Sequence, residues 1–290
     1  MTTVPLPDGE ARRLARLALE EDLAGGLDVT TLATVPADHH GLARLVTRSD
    51  GVVAGLGIAA AVFAERLGSS ADVHALAADG DRVVAGQALL EVSGPTRELL
   101  TAERSALNLL THLSGIATLT ARWVEAVAGT GATIRDTRKT MPGLRAAEKY
   151  AVRCGGGANH RMGLHDQALI KDNHVVAAGG VVPAIRAVRA AFPGIFCEVE
   201  CDTLDQVAEA AGEGAALVLL DNMDTATLAA AVALCRPAGT RTEASGGLTL
   251  DRATEVARTG VDHLAVGALT HSAPALDIGL DLAVPAHLTA

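Results

Sequence analysis

The sequence predicts an α/β protein: a small α+β unit over about the first hundred residues, then an incomplete, open barrel of about six parallel strands. Three observations carry this. From Thr133 onward, short apolar runs alternate with helical segments: ATIRDTRK, ALIKDNH, FCEVECD, ALVLLDN, TEASGG and HLAVGA. The polar residues that end these runs are Arg138, Lys171, Glu200, Asp221, Ser245 and Gly267, spaced 33, 29, 21, 24 and 22 residues apart. That is the size of a βα unit with a helical crossover. Apolar strand bodies with charged ends are the pattern of an α/β barrel whose site lies at the strand C-termini, and these runs fall short of the eight or so that close one.

The elements follow in order. Glu10 to Glu20 reads as a helix with Leu14, Leu17 and Ala18 on one face. Strand-like runs follow at Ala43–Thr47, Val52–Gly55, Val73–Ala77 and Ala88–Val92, with turn signals at Asp79-Gly80 and Gly86-Gln87. A long helical stretch runs from Thr96 to Ala128. Its buried stripe is Leu99, Ala102, Ala106, Leu109, Leu113, Ile116, Trp123 and Val127, and Gly115 is expected to break or bend it. Arg104 and Asn108 lie off that stripe on a common face. Thr203, Thr225 and Thr249 are the expected N-caps of later helices.

Composition removes several function classes. The 290 residues are 49% hydrophobic and 20% charged, which excludes disorder. A chain this long buries about three quarters of its unfolded surface, so it needs no disulfide or metal staple. Aromatics are only 2%, too few for a base-stacking surface, and the net charge of −10 opposes nucleic acid or an acidic membrane as partner. The opening MTTVPLPDGEARR has no apolar signal core, and the longest apolar run, Gly51 to Ala64, is too short to span a bilayer. Cys154, Cys197, Cys201 and Cys235 form no CxxC or zinc spacing, so a reducing, cytoplasmic location is expected.

The basic residues are unevenly placed. The chain has three lysines, Lys139, Lys149 and Lys171, all within 33 residues, against 21 arginines in all. Arg135 to Lys171 holds eight Lys/Arg against three acids, a local charge of +5 on an acidic chain. Such an island focuses a small polyanion into a cleft. A solvated helix face explains clustered charge, but not Gly155-Gly156-Gly157 and His160 inside it. The last two strands end in glycine, Ser245-Gly246-Gly247 and Gly267-Ala268, where barrels commonly hold phosphate.

Weaker signals are set aside. GLGIAA at Gly55–Ala60 lacks the acid a dinucleotide site needs at the end of its second strand. DGDRVVAGQALLEVSG resembles a lipoyl-type sheet, yet no lysine lies between Val46 and Ala88 to carry the group. His160, His165 and His174 do not share a helix face as metal ligands. Cys197 and Cys201 read as core positions.

The motifs EDLAGGLDVTT, AERSALNLLTHLSGIAT, RDTRKTMPGLRAAEKYAVRCGGGANHRMGLHDQALIKDNH, EVE, LLDNM, EASGGL and VGALTHSAPALDIGLDL run from Glu21 to Leu282. Through them the chain resembles the quinolinate phosphoribosyltransferase family, the carboxylating nicotinate-nucleotide pyrophosphorylases. The resemblance implies a type II phosphoribosyltransferase-like fold. Residues 1–105 would form an N-terminal α/β sandwich domain, 106–274 an incomplete α/β barrel, and the tail 275–290 would return to the first domain. It implies a homodimer, or a higher assembly of one, in which each N-terminal domain caps the other barrel and donates Arg104.

The implied reaction joins quinolinate to phosphoribosyl pyrophosphate, giving nicotinate mononucleotide, pyrophosphate and carbon dioxide. By the resemblance, Arg104, Thr137, Arg138, His160, Arg161 and Lys171 bind quinolinate. Planar guanidiniums suit its adjacent carboxylates. Lys139, Ser245, Gly246, Gly247, Gly267 and His271 hold phosphate, and Lys139, Lys171, Glu200 and Asp221 carry the catalytic electrostatics. Glu200 and Asp221 also place Mg²⁺, directly or through water. Three other readings stay open on the residues: a phosphoribosyltransferase for a related aromatic anion, a Schiff-base barrel lyase built on Lys171, and a non-catalytic phosphate-binding barrel.

Overall fold

A computed structural model describes residues 6, 7 and 9–283. In chain order the elements are α1 (Glu10–Leu23), α2 (Val29–Thr34), β1 (His40–Thr47), β2 (Gly51–Val52), α3 (Leu56–Leu67), β3 (Asp72–Ala75), β4 (Arg82–Val83), β5 (Ala88–Pro95) and α4 (Thr96–Ala126). They continue as β6 (Thr133–Arg135), α5 (Arg145–Cys154), β7 (Ala168–Ile170), α6 (Asp172–Ala178), α7 (Val181–Ala191), β8 (Cys197–Cys201) and α8 (Leu204–Gly212). The last are β9 (Leu217–Asp221), α9 (Thr225–Cys235), β10 (Arg241–Ser245), α10 (Ala253–Ala257), β11 (His263–Ala265), α11 (Ala268–His271) and β12 (Ile278–Ala283).

Contacts divide the chain into two units: 1–121 with 142–156 and 272–290, and 122–141 with 157–271. The boundary expected at 105/106 falls inside α4, a continuous 31-residue helix, so the division comes later along it. Helix α5 also groups with the first unit.

The first unit is built on an antiparallel sheet in the order β12-β1-β5-β3. Leu45 of β1 pairs with Leu90 of β5 and Leu280 of β12. Helices α3 and α4 bury apolar stripes in the same core, including Phe63, Leu99 and Leu110, all fully buried. Helix α1 packs on α3 with Leu14, Ala15 and Leu19. Leu17, expected on that face, is exposed. Leu27 is exposed too, and Asp28 behind it caps α2 by accepting the Thr31 N–H at 2.9 Å. The tail strand β12 completes this sheet along β1, while 284–290 of the expected tail and residues 1–5 and 8 lie outside the described residues.

Gly115 does not break α4. A Cβ there would come within 2.1 Å of the Pro274 carbonyl oxygen, so glycine is present because the chain crosses the helix at backbone contact distance.

The second unit is the expected open, six-stranded parallel sheet, ordered β6-β11-β10-β9-β8-β7. The order is cyclic with one seam, between β6 and β7, as in a barrel short of closure. At the seam, Ala158 bridges to Arg135 in parallel: its N–H donates to the Ile134 carbonyl at 2.8 Å, and its carbonyl accepts the Asp136 N–H at 3.2 Å. These bonds occupy the edge of β6 that would otherwise be bare. Thr203 caps α8 in a capping box with Gln206. At α9 the cap is Asp224, one residue before the expected Thr225, because its carboxylate reaches the Thr227 N–H at 2.8 Å. Thr249 makes no side-chain cap bond. Among the described residues no single helix is long and apolar enough to cross a membrane; α6 and α7 meet the test only as a pair bent by 88°.

In an open helix, Gly→Ala stabilises by roughly 1 kcal/mol. Here Gly115→Ala should instead destabilise by about 1–3 kcal/mol through overpacking against Pro274, a reversal of sign that urea unfolding will read directly.

Candidate active site

In a barrel, residues at i and i+2 of each strand face inward in tiers. Registers Leu169↔Glu198, Leu219↔Glu243 and Asp221↔Ser245 keep these tiers level within β7–β8 and β9–β10, while Glu200↔Leu219 and Glu243↔His263 step them by two residues at β8–β9 and β10–β11. Leu169, Leu219 and Glu243, with Ala265 of β11, line the floor of a cleft of about 440 Å³. The upper tier brings Lys171, Glu200, Asp221 and Ser245 to its rim. Thr137, Arg138, Lys139, His160 and Arg161 complete the lining. Thus Arg138, Arg161 and Lys171, the cations expected to share one mouth, do share it.

The rim is charge-paired. Lys171 Nζ donates to Glu200 Oε2 at 2.5 Å. Its main-chain N–H donates to His174 Nδ1 at 2.9 Å, anchoring the start of α6. Asp221 accepts from Asn222 Nδ2 at 2.5 Å. Asn222 adopts φ +54° and its side chain fills the space beside Gly246, where a Cβ would come within 2.2 Å of Asn222 Oδ1. Gly246 and Gly247 both have positive φ, giving the turn after β10 that only glycine adopts freely. Gly267 faces Lys139, His271 and Thr137: a Cβ on it would lie 3.1, 3.3 and 3.5 Å from their side chains. Thr137 Oγ1 accepts the Lys139 N–H at 3.1 Å, and Thr270 Oγ1 donates to the Lys139 carbonyl at 2.7 Å.

Beneath the rim lies a buried network. Arg135 donates to Glu243, and His160 Nε2 stands 3.0 Å from Glu198 Oε2 and 3.4 Å from Glu243 Oε1. Gln167 Nε2 donates to Glu198 Oε2 at 2.7 Å. Asp136 accepts the His160 main-chain N–H at 2.9 Å and the Asn159 amide at 2.5 Å. Glu198, Glu243 and Asp136 are fully buried. Burial, reinforced by the Glu198 charge, pushes the Glu243 carboxyl up to about 7, against the pull of Arg135 and His160. Arg161 donates to the Gln167 carbonyl at 3.1 Å. Burial, then the nearby Arg138, lowers its pKa, while Glu198 and Asp166 oppose the shift.

His160, Glu198 and Glu243 hold their ligand atoms within 4.8 Å of one another, close enough for a metal. The hydrogen bonds argue against one. His160 Nδ1 accepts the Arg161 main-chain N–H at 2.7 Å, so in the neutral ring the proton is on Nε2, the nitrogen a metal would need.

Of the residues singled out in the sequence, Thr137, Arg138, Lys139, His160, Arg161, Lys171, Glu200, Asp221 and Ser245 line the cleft. Gly246, Gly247, Gly267 and His271 flank it through the contacts above. Both nitrogens of His160 are engaged by the protein. Arg104 is exposed on α4 in the first unit and is not among the lining residues. Cys201 is buried, and burial raises its thiol to about 12. Residues not anticipated are Glu198, Glu243, Gln167 and Asn222. The signal for the two acids is the strand alternation: CEVEC and RTEAS put Glu198 and Glu243 two positions before Glu200 and Ser245, on the same inward face.

Comparison with known proteins fits this geometry. The model for the C-terminal domain of quinolinate phosphoribosyl transferase matches residues 116–281, and that for its N-terminal domain matches 28–114. The chain belongs to the quinolinate phosphoribosyl transferase family. Within this family, a nicotinate-nucleotide pyrophosphorylase (carboxylating) of Mycobacterium leprae is 55% identical over 275 residues, covering 94% of this chain and 97% of its own. A probable one from Synechocystis is 43% identical over 267 residues, covering 91% of this chain and 90% of its own. The solved nicotinate-nucleotide pyrophosphorylase of Francisella tularensis superposes with a TM-score of 0.91 at 36% identity, over 96% of this chain and 98% of that one.

The floor has a pH signature. With its pKa raised in the folded state, Glu243 contributes stability fully present below about pH 4.5 and lost as pH rises through 7. Glu243→Gln has no such charge. The Tm difference, variant minus parent, should therefore move in favour of the variant between pH 5 and 8; a constant difference would contradict the assignment.

Proposed function

We infer that this chain transfers phosphoribosyl from phosphoribosyl pyrophosphate to quinolinate with loss of carbon dioxide, yielding nicotinate mononucleotide and pyrophosphate. The observation that carries it is the convergence of Arg138, Lys139, Arg161 and Lys171 on one cleft whose rim also holds Glu200 and Asp221. Family membership supports the same reading.

Quinolinate is a pyridine with carboxylates on adjacent carbons. In this reading Arg138 and Arg161 grip the carboxylates, with Thr137, Lys171 and the ring face of His160 as walls. Arg138 Nε is buried without a hydrogen-bond partner, a donor left for a ligand. Lys139, Ser245, Gly246, Gly247, Gly267 and His271 take the phosphates, where backbone turns and point charges suit phosphate oxygens. Glu200 and Asp221 offer hard oxygen donors at adjacent strand ends, which fits Mg²⁺. When bound, the ion neutralises the pyrophosphate that leaves.

The steps balance without a covalent enzyme intermediate. The pyridine nitrogen attacks the anomeric carbon as the pyrophosphate C–O bond breaks, and Glu200 and Asp221 stabilise positive charge there. The ring becomes a pyridinium, which accepts the electron pair of the breaking carboxylate C–C bond; that carbon then takes a proton. Positioning and electrostatics supply the catalysis. A Schiff-base role for Lys171 is disfavoured, because such lysines are desolvated or crowded by cations, whereas Lys171 is half exposed and faces Glu200.

Arg104 enters this reading as a residue donated by a second copy, making the working unit a homodimer. The four unpaired thiols suit a cytoplasmic setting.

Quinolinate, phosphoribosyl pyrophosphate and Mg²⁺ should give carbon dioxide and nicotinate mononucleotide in equal amounts; pyrophosphate release without decarboxylation would point to another aromatic acceptor. Arg161→Ala should weaken quinolinate binding by about 1.5–3 kcal/mol, the worth of one charge-assisted bond, with an unchanged KM counting against the assignment. Mixing inactive Arg104→Ala and Lys171→Ala proteins should restore about a quarter of parental activity through mixed dimers, and no recovery would exclude a shared site.

A further inference from the structure

Arg161 shares the cleft with Arg138, and like charges in a half-buried space push apart. Four hydrogen bonds close a ring that begins and ends on Arg161. Its main-chain N–H donates to His160 Nδ1 at 2.7 Å. His160 Nε2 donates to Glu198 Oε2 at 3.0 Å. The same oxygen accepts from Gln167 Nε2 at 2.7 Å. The Gln167 main-chain carbonyl accepts from Arg161 Nη1 at 3.1 Å.

Each intermediate member is buried: His160 is 6% exposed, Gln167 9% and Glu198 0%. Neither Gln167 nor Glu198 lines the cleft, so they touch no substrate and act from beneath it. The ring also dictates the histidine tautomer. Nδ1 accepts from Arg161 only while Nε2 carries the proton, and Nε2 carries it because Glu198 is there to accept. Remove the Gln167 side-chain amide, and Glu198 Oε2 keeps only the His160 donor, so the link between the His160 and Gln167 arms of the ring is lost.

We propose that Gln167 and Glu198 are positioning residues for Arg161, holding its guanidinium in the cleft against Arg138 and so setting the affinity for an aromatic acid with adjacent carboxylates. The proposal rests on Arg161 being a quinolinate ligand.

The experiment is a double-mutant cycle on the full chain, with quinolinate and phosphoribosyl pyrophosphate affinities measured separately by calorimetry. Gln167→Leu should weaken quinolinate about tenfold, the scale of one hydrogen bond to a charged group, and leave phosphoribosyl pyrophosphate within about twofold. In an Arg161→Ala background the same substitution should have no further effect, since it acts through Arg161. Equal weakening of both substrates, or an undiminished effect without Arg161, overturns the proposal. If Gln167→Leu does not fold, Glu198→Gln, which removes the charge and keeps an acceptor, takes its place in the cycle with the same expectations. The two levels fail differently. Normal loss in Arg161→Ala with none in Gln167→Leu overturns the positioning role alone. An Arg161→Ala protein that binds quinolinate as before overturns the ligand reading and the proposal with it.

Discussion

Cations gathered in a half-buried space must be matched by carboxylates nearby, or their mutual repulsion and lost hydration would scatter them. The second unit meets this requirement at two depths. At the rim, Glu200 faces Lys171 and Asp221 stands on the next strand. At the floor, fully buried Glu198 and Glu243 face Arg135 and His160. The upper layer stays open to ligands, whereas the lower one is closed by hydrogen bonds within the protein. A cleft able to receive two polyanions therefore stands on buried carboxylates, Glu243 at its floor and Glu198 beneath it.

The parallel sheet makes this layering possible. Side chains two apart on a strand share a face, so each strand that supplies a rim residue also supplies a floor residue beneath it. Glu198 under Glu200 and Glu243 under Ser245 are such pairs, and the register between β8 and β9 steps by two residues, so that Glu200, Leu219 and Glu243 lie level. The loops after β10 and β11 add glycines where a side chain would collide with Asn222 or crowd Lys139 and His271.

Much of this architecture is legible in the sequence. Strand-end residues stand out because a charge after an apolar run breaks the local pattern, and their spacing reports the crossover helix. The floor is less legible: Glu198 and Glu243 lie inside strands, where alternation marks the face they share with Glu200 and Ser245 but not their partners far along the chain, Gln167 and Arg135. Gly115 misleads for a related reason. Its helix-breaking tendency is local, but its purpose is the close passage of Pro274, some 160 residues later. Leu17 illustrates the limit of periodicity on a short helix, where a neighbouring apolar stripe, Leu14, Ala15 and Leu19, wins the packing.

The pairing of β12 with β1 has a consequence for how the chain is made. Residues 278–283 occupy the outer edge of a sheet whose other strands all precede residue 96. A ribosome delivers every strand of the parallel sheet before that edge strand emerges, so β1 waits with one side unpaired throughout most of synthesis. Closing so long a loop is entropically slow, and until it closes the bare strand is a target for intermolecular pairing. The parallel sheet is thus free to assemble during translation, while the antiparallel one is finished last.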